Sequence, residues 1–188
     1  MVDLNRVVAD VARSLAKARI DYMVIGGIAN AVWGTPRATT DVDLSVACSR
    51  EDHARVIKAL GKLVAKLPAD LDEYLAGGVL PFIHPSGVHV DLLLSRHPYA
   101  QLAMDRAIAH EVEGVAVKFC TPEDLVLHKI ISEREKDQSD VREILRLRRT
   151  TLDREYLDPR VHELAIILDR PELEHAYLSA MRSVPPVG

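Results

Sequence analysis

At 188 residues, with 48% apolar and 28% charged side chains, the chain is long enough to bury a core and too apolar to be intrinsically disordered. Its formal charge of −4 excludes indiscriminate nucleic-acid binding by net attraction and leaves only a local basic patch for that purpose. No apolar run reaches membrane-spanning length and residues 1–3 lack the pattern of a secretion signal, so a cytoplasmic protein without a membrane partner is expected; Cys48 and Cys120 lie far apart and read as free buried thiols.

Leu4, Val7, Val8, Val11, Leu15 and Ala18 fall at helical spacing and predict an amphipathic helix over 4–19. Tyr22 to Ile25 reads as a buried strand stopped by Gly26-Gly27, followed by a short helix from Ile28 to Trp33, with Trp33 in the core, and a polar loop from Gly34 to Thr40. A second strand is predicted over Val42–Ala47, then a helix over 50–67 started at Ser49 and closed by Pro68. Val79–His84 and Val88–Leu94 predict two strands joined at Pro85-Ser86-Gly87. A helix over 99–109 and a strand over Val115–Phe119 follow. Thr121-Pro122-Glu123-Asp124 is a strong helix start, and from there to residue 182 the pattern is helical, with breaks near Asp158-Pro159 and Arg170-Pro171 and a mobile tail over 184–188. The expected fold is α/β (α+β): a small mixed β-sheet flanked by helices over 1–120, then a helical segment over 121–188.

The chemistry sits in the first half. Side chains at i and i+2 share a strand face, so Asp41 and Asp43 point one way while Val42 and Leu44 face the core. Asp91 interrupts the apolar strand Val88–Leu94, where an unpaired buried carboxylate would be costly. A sheet that aligns these strands brings three carboxylates together, a hard oxygen set suited to Mg²⁺ or Mn²⁺ and to two ions about 4 Å apart in phosphoryl transfer. Gly26-Gly27, between a strand and a helix, leaves backbone N–H groups open to a phosphate. Singly, an Asp-x-Asp or a Gly-Gly is an ordinary strand edge or turn; their order along the chain is what carries the signal.

That order, GGIANAVWGTPRATTDVDL with the distal Asp91, resembles the DNA polymerase β-type nucleotidyltransferases, and its spelling is similar to the AbiEii/MenT-like toxin group. The group's Arg-x-Thr ahead of Asp-x-Asp corresponds to Arg37 and Thr39, its later helix lysine to Lys129, and its Lys-Asp-x-x-Asp element to Lys136-Asp137-Gln138-Ser139-Asp140. Gly27 stands where AbiEii-type proteins have serine, and His128 where glutamate commonly precedes the lysine. The resemblance implies a transfer of a nucleoside monophosphate from an NTP to an acceptor hydroxyl. Asp41, Asp43 and Asp91 would act as catalytic metal ligands, and Lys129 would support the triphosphate. Gly26, Gly27, Arg37, Thr39, Lys129, Lys136 and Asp140 would bind the nucleotide. The implied cofactor is Mg²⁺ or Mn²⁺, the co-substrate an NTP, the acceptor a tRNA 3′ end, and a cognate antitoxin the partner; an antibiotic acceptor or a catalytically silent nucleotide-binding module is the alternative. Lys136 reads equally well as a solvent-exposed helix lysine, and Asp137 as a helix cap. Arg142, Arg146, Arg148 and Arg149 read as an acceptor-binding stripe or as a solvated helix face.

Overall fold

The structure, a computed structural model, describes residues 3–183; the expected mobile tail over 184–188 and residues 1–2 lie outside them. Two compact units divide the chain, one running to Ala29 and resuming over Ala38–Cys120, the other taking Asn30–Arg37 and the chain from Thr121 onward. Among the described residues no helix is long and apolar enough to cross a membrane.

The first unit opens with α1 (Leu4–Lys17), capped by the Asp3 carboxylate, which accepts the Asn5 and Arg6 amides at 3.0 and 3.3 Å. Its stripe of Val7, Val8, Val11, Ala12 and Leu15 is buried, and α1 packs on one six-stranded mixed sheet. The strands are β1 (Tyr22–Val24), β2 (Asp41–Val46), β3 (Val79–Ile83), β4 (His89–Leu94), β5 (Ile108–Val112) and β6 (Val115–Phe119), in spatial order β3-β4-β2-β1-β6-β5. β2 runs parallel to β4 and antiparallel to β1, and β1 is parallel to β6. Helix α2 (Gly26–Trp33) leaves β1 at once, beginning at the glycine pair itself rather than after it.

Three expectations for this unit change. The single helix over 50–67 is a 3₁₀ turn at Arg50–Asp52, α3 (His53–Leu60) and a second 3₁₀ turn at Gly61–Leu63, because Gly61 adopts φ +55° and ends the α-helical run. A short helix, α4 (Leu71–Ala76), follows Pro68 unannounced. The helix over 99–109 stops early as α5 (Pro98–Arg106), and the chain becomes β5. Glu113 (φ +50°) and Gly114 (φ +69°) then form a two-residue turn with both φ positive, which matches the twist of the hairpin and pairs Val112 with Val115.

In the second unit the Thr121 hydroxyl accepts the Asp124 amide at 3.1 Å and Pro122 occupies the first helical position, starting α6 (Pro122–Ile130) as read from the sequence. Helices α7 (Glu135–Arg148), α8 (Arg154–Ile167) and α9 (Glu172–Ser183) complete it. Leu125, Val126, Ile130, Ile144, Leu145, Leu157 and Tyr177 form its interior. The expected break at Asp158-Pro159 is absent, since α8 runs through Pro159. Proline in the second turn forfeits one bond, to the Glu155 carbonyl, and the flanking packing of Leu157 and Val161 holds the helix together.

Candidate functional site

Parallel pairing sets Asp41 opposite His89 and Asp43 opposite Asp91, with Val42 beside Val90 and Leu44 beside Leu92. The four apolar side chains are fully buried, and the three aspartates stand half-buried on the other face of β2 and β4. The alternation read from the sequence therefore places all three acids on one face of one unit.

The turn after β1 closes on this row. Gly26 has φ +65°, and a Cβ there would lie 2.0 Å from Asp43 Oδ2 and 2.8 Å from Asp43 Cβ. A Cβ on Gly27 would come within 2.6 Å of Thr39 Oγ1. Thr39 in turn donates its hydroxyl to Asp41 Oδ1 at 2.6 Å. The glycine pair thus brings the start of α2, with its outward N–H groups, against Asp43 and Thr39. Gly26→Ala is expected to destabilise the protein by about 1–3 kcal/mol, because both the positive φ and the Asp43 Cβ oppose it. Gly27→Ala, opposed by one rotatable side chain, should cost less, and calorimetric melting of the two variants checks the order.

The electrostatics of the row are resolved at Asp91. Burial pushes the Asp91 carboxyl above the usual carboxylate range, the charge of Asp41 pushes it the same way, and His89 offsets part of this. The donors are hard carboxylate oxygens, the kind Mg²⁺ or Mn²⁺ takes. Among the described residues no three His, Cys, Asp or Glu side chains are gathered closely enough to enclose an ion. An open set of this sort fits Mg²⁺, which usually keeps waters and shares its coordination between one or two carboxylates and substrate phosphates.

The remaining predicted residues belong to the helical unit. Lys129 on α6 is 5% exposed, and its ammonium donates to Asp137 Oδ1 and Asp140 Oδ2, each at 2.8 Å. Asp140 also accepts from Arg37, at 3.1 Å from Nε and 3.0 Å from Nη2, and from the Asn30 amide at 3.3 Å. Asp137 accepts Ser132 Oγ at 2.8 Å and Arg134 Nε at 2.6 Å. Burial alone would raise the Asp137 carboxyl, but Lys129, Ser132 and Arg134 reverse this and hold it at about 2. Asp137 is therefore a buried ion-pair partner rather than a helix cap. Lys136 is exposed on α7.

Asn30 and Arg134 were not singled out in the sequence. Asn30 is fully buried, and the signal for it was available as one amide within the apolar run Ile28-Ala29-Asn30-Ala31-Val32. Arg134 carries no comparable signal. The arginine stripe divides: Arg146 pairs with Glu143 at 2.8 Å, whereas Arg148 donates to the Trp33 and Val32 carbonyls and lies 5.4 Å from the Trp33 ring. Trp33 is thus half-buried under an arginine rather than sunk in the core.

A family model described as a nucleotidyltransferase of unknown function (DUF6036) matches residues 3–177. No curated protein matches. An antigenic nucleotidyltransferase-like protein from Paracoccidioides brasiliensis shares the fold with a TM-score of 0.54 at 20% identity, over 93% of this chain and 92% of that one. The antibiotic-resistance factor ANT(2'')-Ia superposes with a TM-score of 0.56 at 12% identity, over 94% and 97% of the two chains. For the lincomycin-bound lincosamide antibiotic adenylyltransferase LnuA the values are 0.52 and 13%, over 74% and 94%. At these identities the likeness establishes the shared fold.

Proposed function

The chain belongs to the DUF6036 family of nucleotidyltransferases, and we propose that it transfers a nucleoside monophosphate from an NTP to an acceptor hydroxyl with the help of a divalent metal. The observation that supports this reading most directly is the register that sets Asp43 beside Asp91 while Gly26 closes on the Asp43 carboxylate. Asp41, Asp43 and Asp91 would hold Mg²⁺ or Mn²⁺, which when bound neutralises charge on the phosphates and on the attacking oxygen. Gly26 and Gly27 offer N–H groups to phosphate oxygens, and Thr39 fixes the Asp41 carboxylate. The acceptor oxygen bonds to the α-phosphorus, the α–β bridging P–O bond breaks, pyrophosphate leaves, and Asp91 takes the hydroxyl proton.

Among the residues of the helical unit, Arg37 is assigned to phosphate; Asp140 accepts its guanidinium hydrogen bonds and is itself held by a charged hydrogen bond from Lys129. Lys136, exposed on α7, would be a second cation for the triphosphate.

Metal and NTP should stabilise the protein together more than the sum of either alone, because each supplies what the other lacks in the acidic row. Thermal-shift titrations of ATP with and without Mg²⁺ read this directly; equal ATP affinity in EDTA would reject metal dependence. The acceptor is decided by incubating the enzyme with labelled NTPs, first with total RNA and then with hydroxylated antibiotics. Label in tRNA, together with growth arrest on expression that Asp43→Ala relieves, would assign the AbiEii/MenT-like toxin role and call for an antitoxin. Label in a drug would assign resistance chemistry.

A further inference from the structure

A cavity of about 240 Å³ opens on the sheet unit, lined by Lys66, Leu67, Pro68, Tyr74, Pro81, Phe82, Ile83 and His89. Its position follows from the register. His89 is the cross-strand partner of Asp41, and Pro81 the partner of Asp91, so the cavity continues the carboxylate row toward the β3 edge of the sheet. Its outer wall is fixed to the sheet: the Ile83 amide donates to the Lys66 carbonyl at 2.9 Å, and the Ala65 amide donates to the Ile83 carbonyl at 2.9 Å. From α4 the Tyr74 ring reaches the mouth, 45% exposed.

From this placement we infer that the cavity receives the acceptor, a flat-ringed hydroxylated molecule of nucleoside size that carries no positive charge. The inference rests on the nucleotidyltransferase reading above and extends it. Displacement at phosphorus proceeds in line, with the attacking hydroxyl opposite the leaving pyrophosphate. Gly26-Gly27, the donor's phosphate turn, follows β1 on one side of the Asp43–Asp91 pair, and the cavity lies on β3 and β4 on the other. The walls select the chemistry. Tyr74 and Pro81 present flat apolar faces suited to a planar ring. Lys66 is an exposed cation in the lining, which includes no carboxylate. With the acidic row beyond it taken up by metal and donor phosphates, a polycationic amino sugar would meet the repulsion of Lys66, whereas a neutral or anionic ring would not.

Calorimetric titration of the intact protein tests this, with the donor site first saturated by α,β-methylene-ATP and Mg²⁺, which cannot transfer. Cytidine and cytidine 5′-monophosphate should bind the wild type, and tobramycin, the polycation, should not. Tyr74→Ala should weaken both cytidine ligands about tenfold, the loss of one stacking face. Lys66→Glu should weaken the monophosphate at least as much and leave cytidine within about twofold. A short RNA ending in a free 3′-hydroxyl, run alongside, separates two sources of the same chemistry: tighter binding than the monophosphate assigns a strand end, equal binding a free nucleotide. Unchanged cytidine binding in both variants, or tobramycin binding above the monophosphate, would overturn the inference while the donor reading stood. Failure of α,β-methylene-ATP to bind the wild type would remove the donor reading and the acceptor inference with it.

Discussion

Asp91→Asn should leave the metal-free protein as stable as the wild type, or raise its melting temperature, while turnover falls by roughly two to three orders of magnitude. The two halves of this result have one origin. Asp91 stands half-buried beside Asp43 and within the field of Asp41, and both its burial and that field disfavour its charged form. A carboxyl raised in the folded state binds its proton more tightly there than in the unfolded chain. Its contribution to metal-free stability is therefore complete below the unfolded value of about 4 and is lost as pH rises through the raised folded value. As pH rises through the folded value the wild type loses that contribution, whereas asparagine removes the charge while keeping the shape. In EDTA the melting temperature of the variant relative to the wild type should be higher at pH 7.5 than at pH 4. A structural carboxylate gives the reverse pattern: apo stability falls by about 3–5 kcal/mol and activity declines only with the folded fraction. That outcome for Asp91→Asn would withdraw it from the metal and proton roles assigned above. Asp43→Asn is expected to behave like Asp91→Asn.

Lys129→Met is expected to do the opposite, destabilising the fold by about 3–5 kcal/mol, a fall in melting temperature on the order of 10 °C for a chain of this size. Lys129 Nζ lies between Asp137 and Asp140, both about as buried as the lysine itself. Removing it leaves two carboxylates in a poorly solvating interior, with Arg134 still on the first and Arg37 still on the second. The depressed Asp137 carboxyl contributes on the order of 2 kcal/mol of stability, present above the unfolded value near 3.8 and lost as pH falls toward about 2. In Lys129→Met the deficit should accordingly shrink below pH 4, where the carboxylates protonate, and Asp137→Asn added to Lys129→Met should recover part of it at pH 7. A melting temperature within a degree or two of wild type would show the ion cluster to be dispensable for folding and leave Lys129 with a role in the reaction alone.

How much of this was legible in the sequence depended on the range of the interaction. Asp41, Asp43 and Asp91 were readable because strand alternation is local and because a carboxylate inside Val88–Leu94 contradicts its neighbours. The Thr121 cap was readable for the same reason, with donor and acceptor three residues apart. The β5–β6 hairpin was missed although Glu113-Gly114 marks its turn, because Ala109 and His110 weaken the alternation and the preceding helix pattern runs into them. The surroundings of Lys129 lay out of reach: the sequence shows a lysine in an apolar helix and two aspartates in the next, and only packing turns them into one buried cluster with Arg37, about a hundred residues away along the chain. The reading of Lys129 as a phosphate contact came from resemblance. The structure places its ammonium between two carboxylates, which is why its assigned role here is to hold Arg37.

The allocation of Asn30–Arg37 to the helical unit has a consequence for how this protein can be taken apart or recombined. Asn30 and Arg37 bond Asp140, Thr35 bonds Glu143 at 3.0 Å, and Arg148 bonds the Trp33 carbonyl, all across more than a hundred residues of sequence. A gene fragment ending at Cys120 would carry this segment into solution stripped of every one of those partners, and a fragment starting at Thr121 would lack the strand of chain that Asp140 and Arg148 hold. The helical unit is thus not a cassette that could be appended to or exchanged between relatives by a single crossover. Recombination at one junction yields a chimaera with mismatched halves of the same unit, and the two must be inherited together.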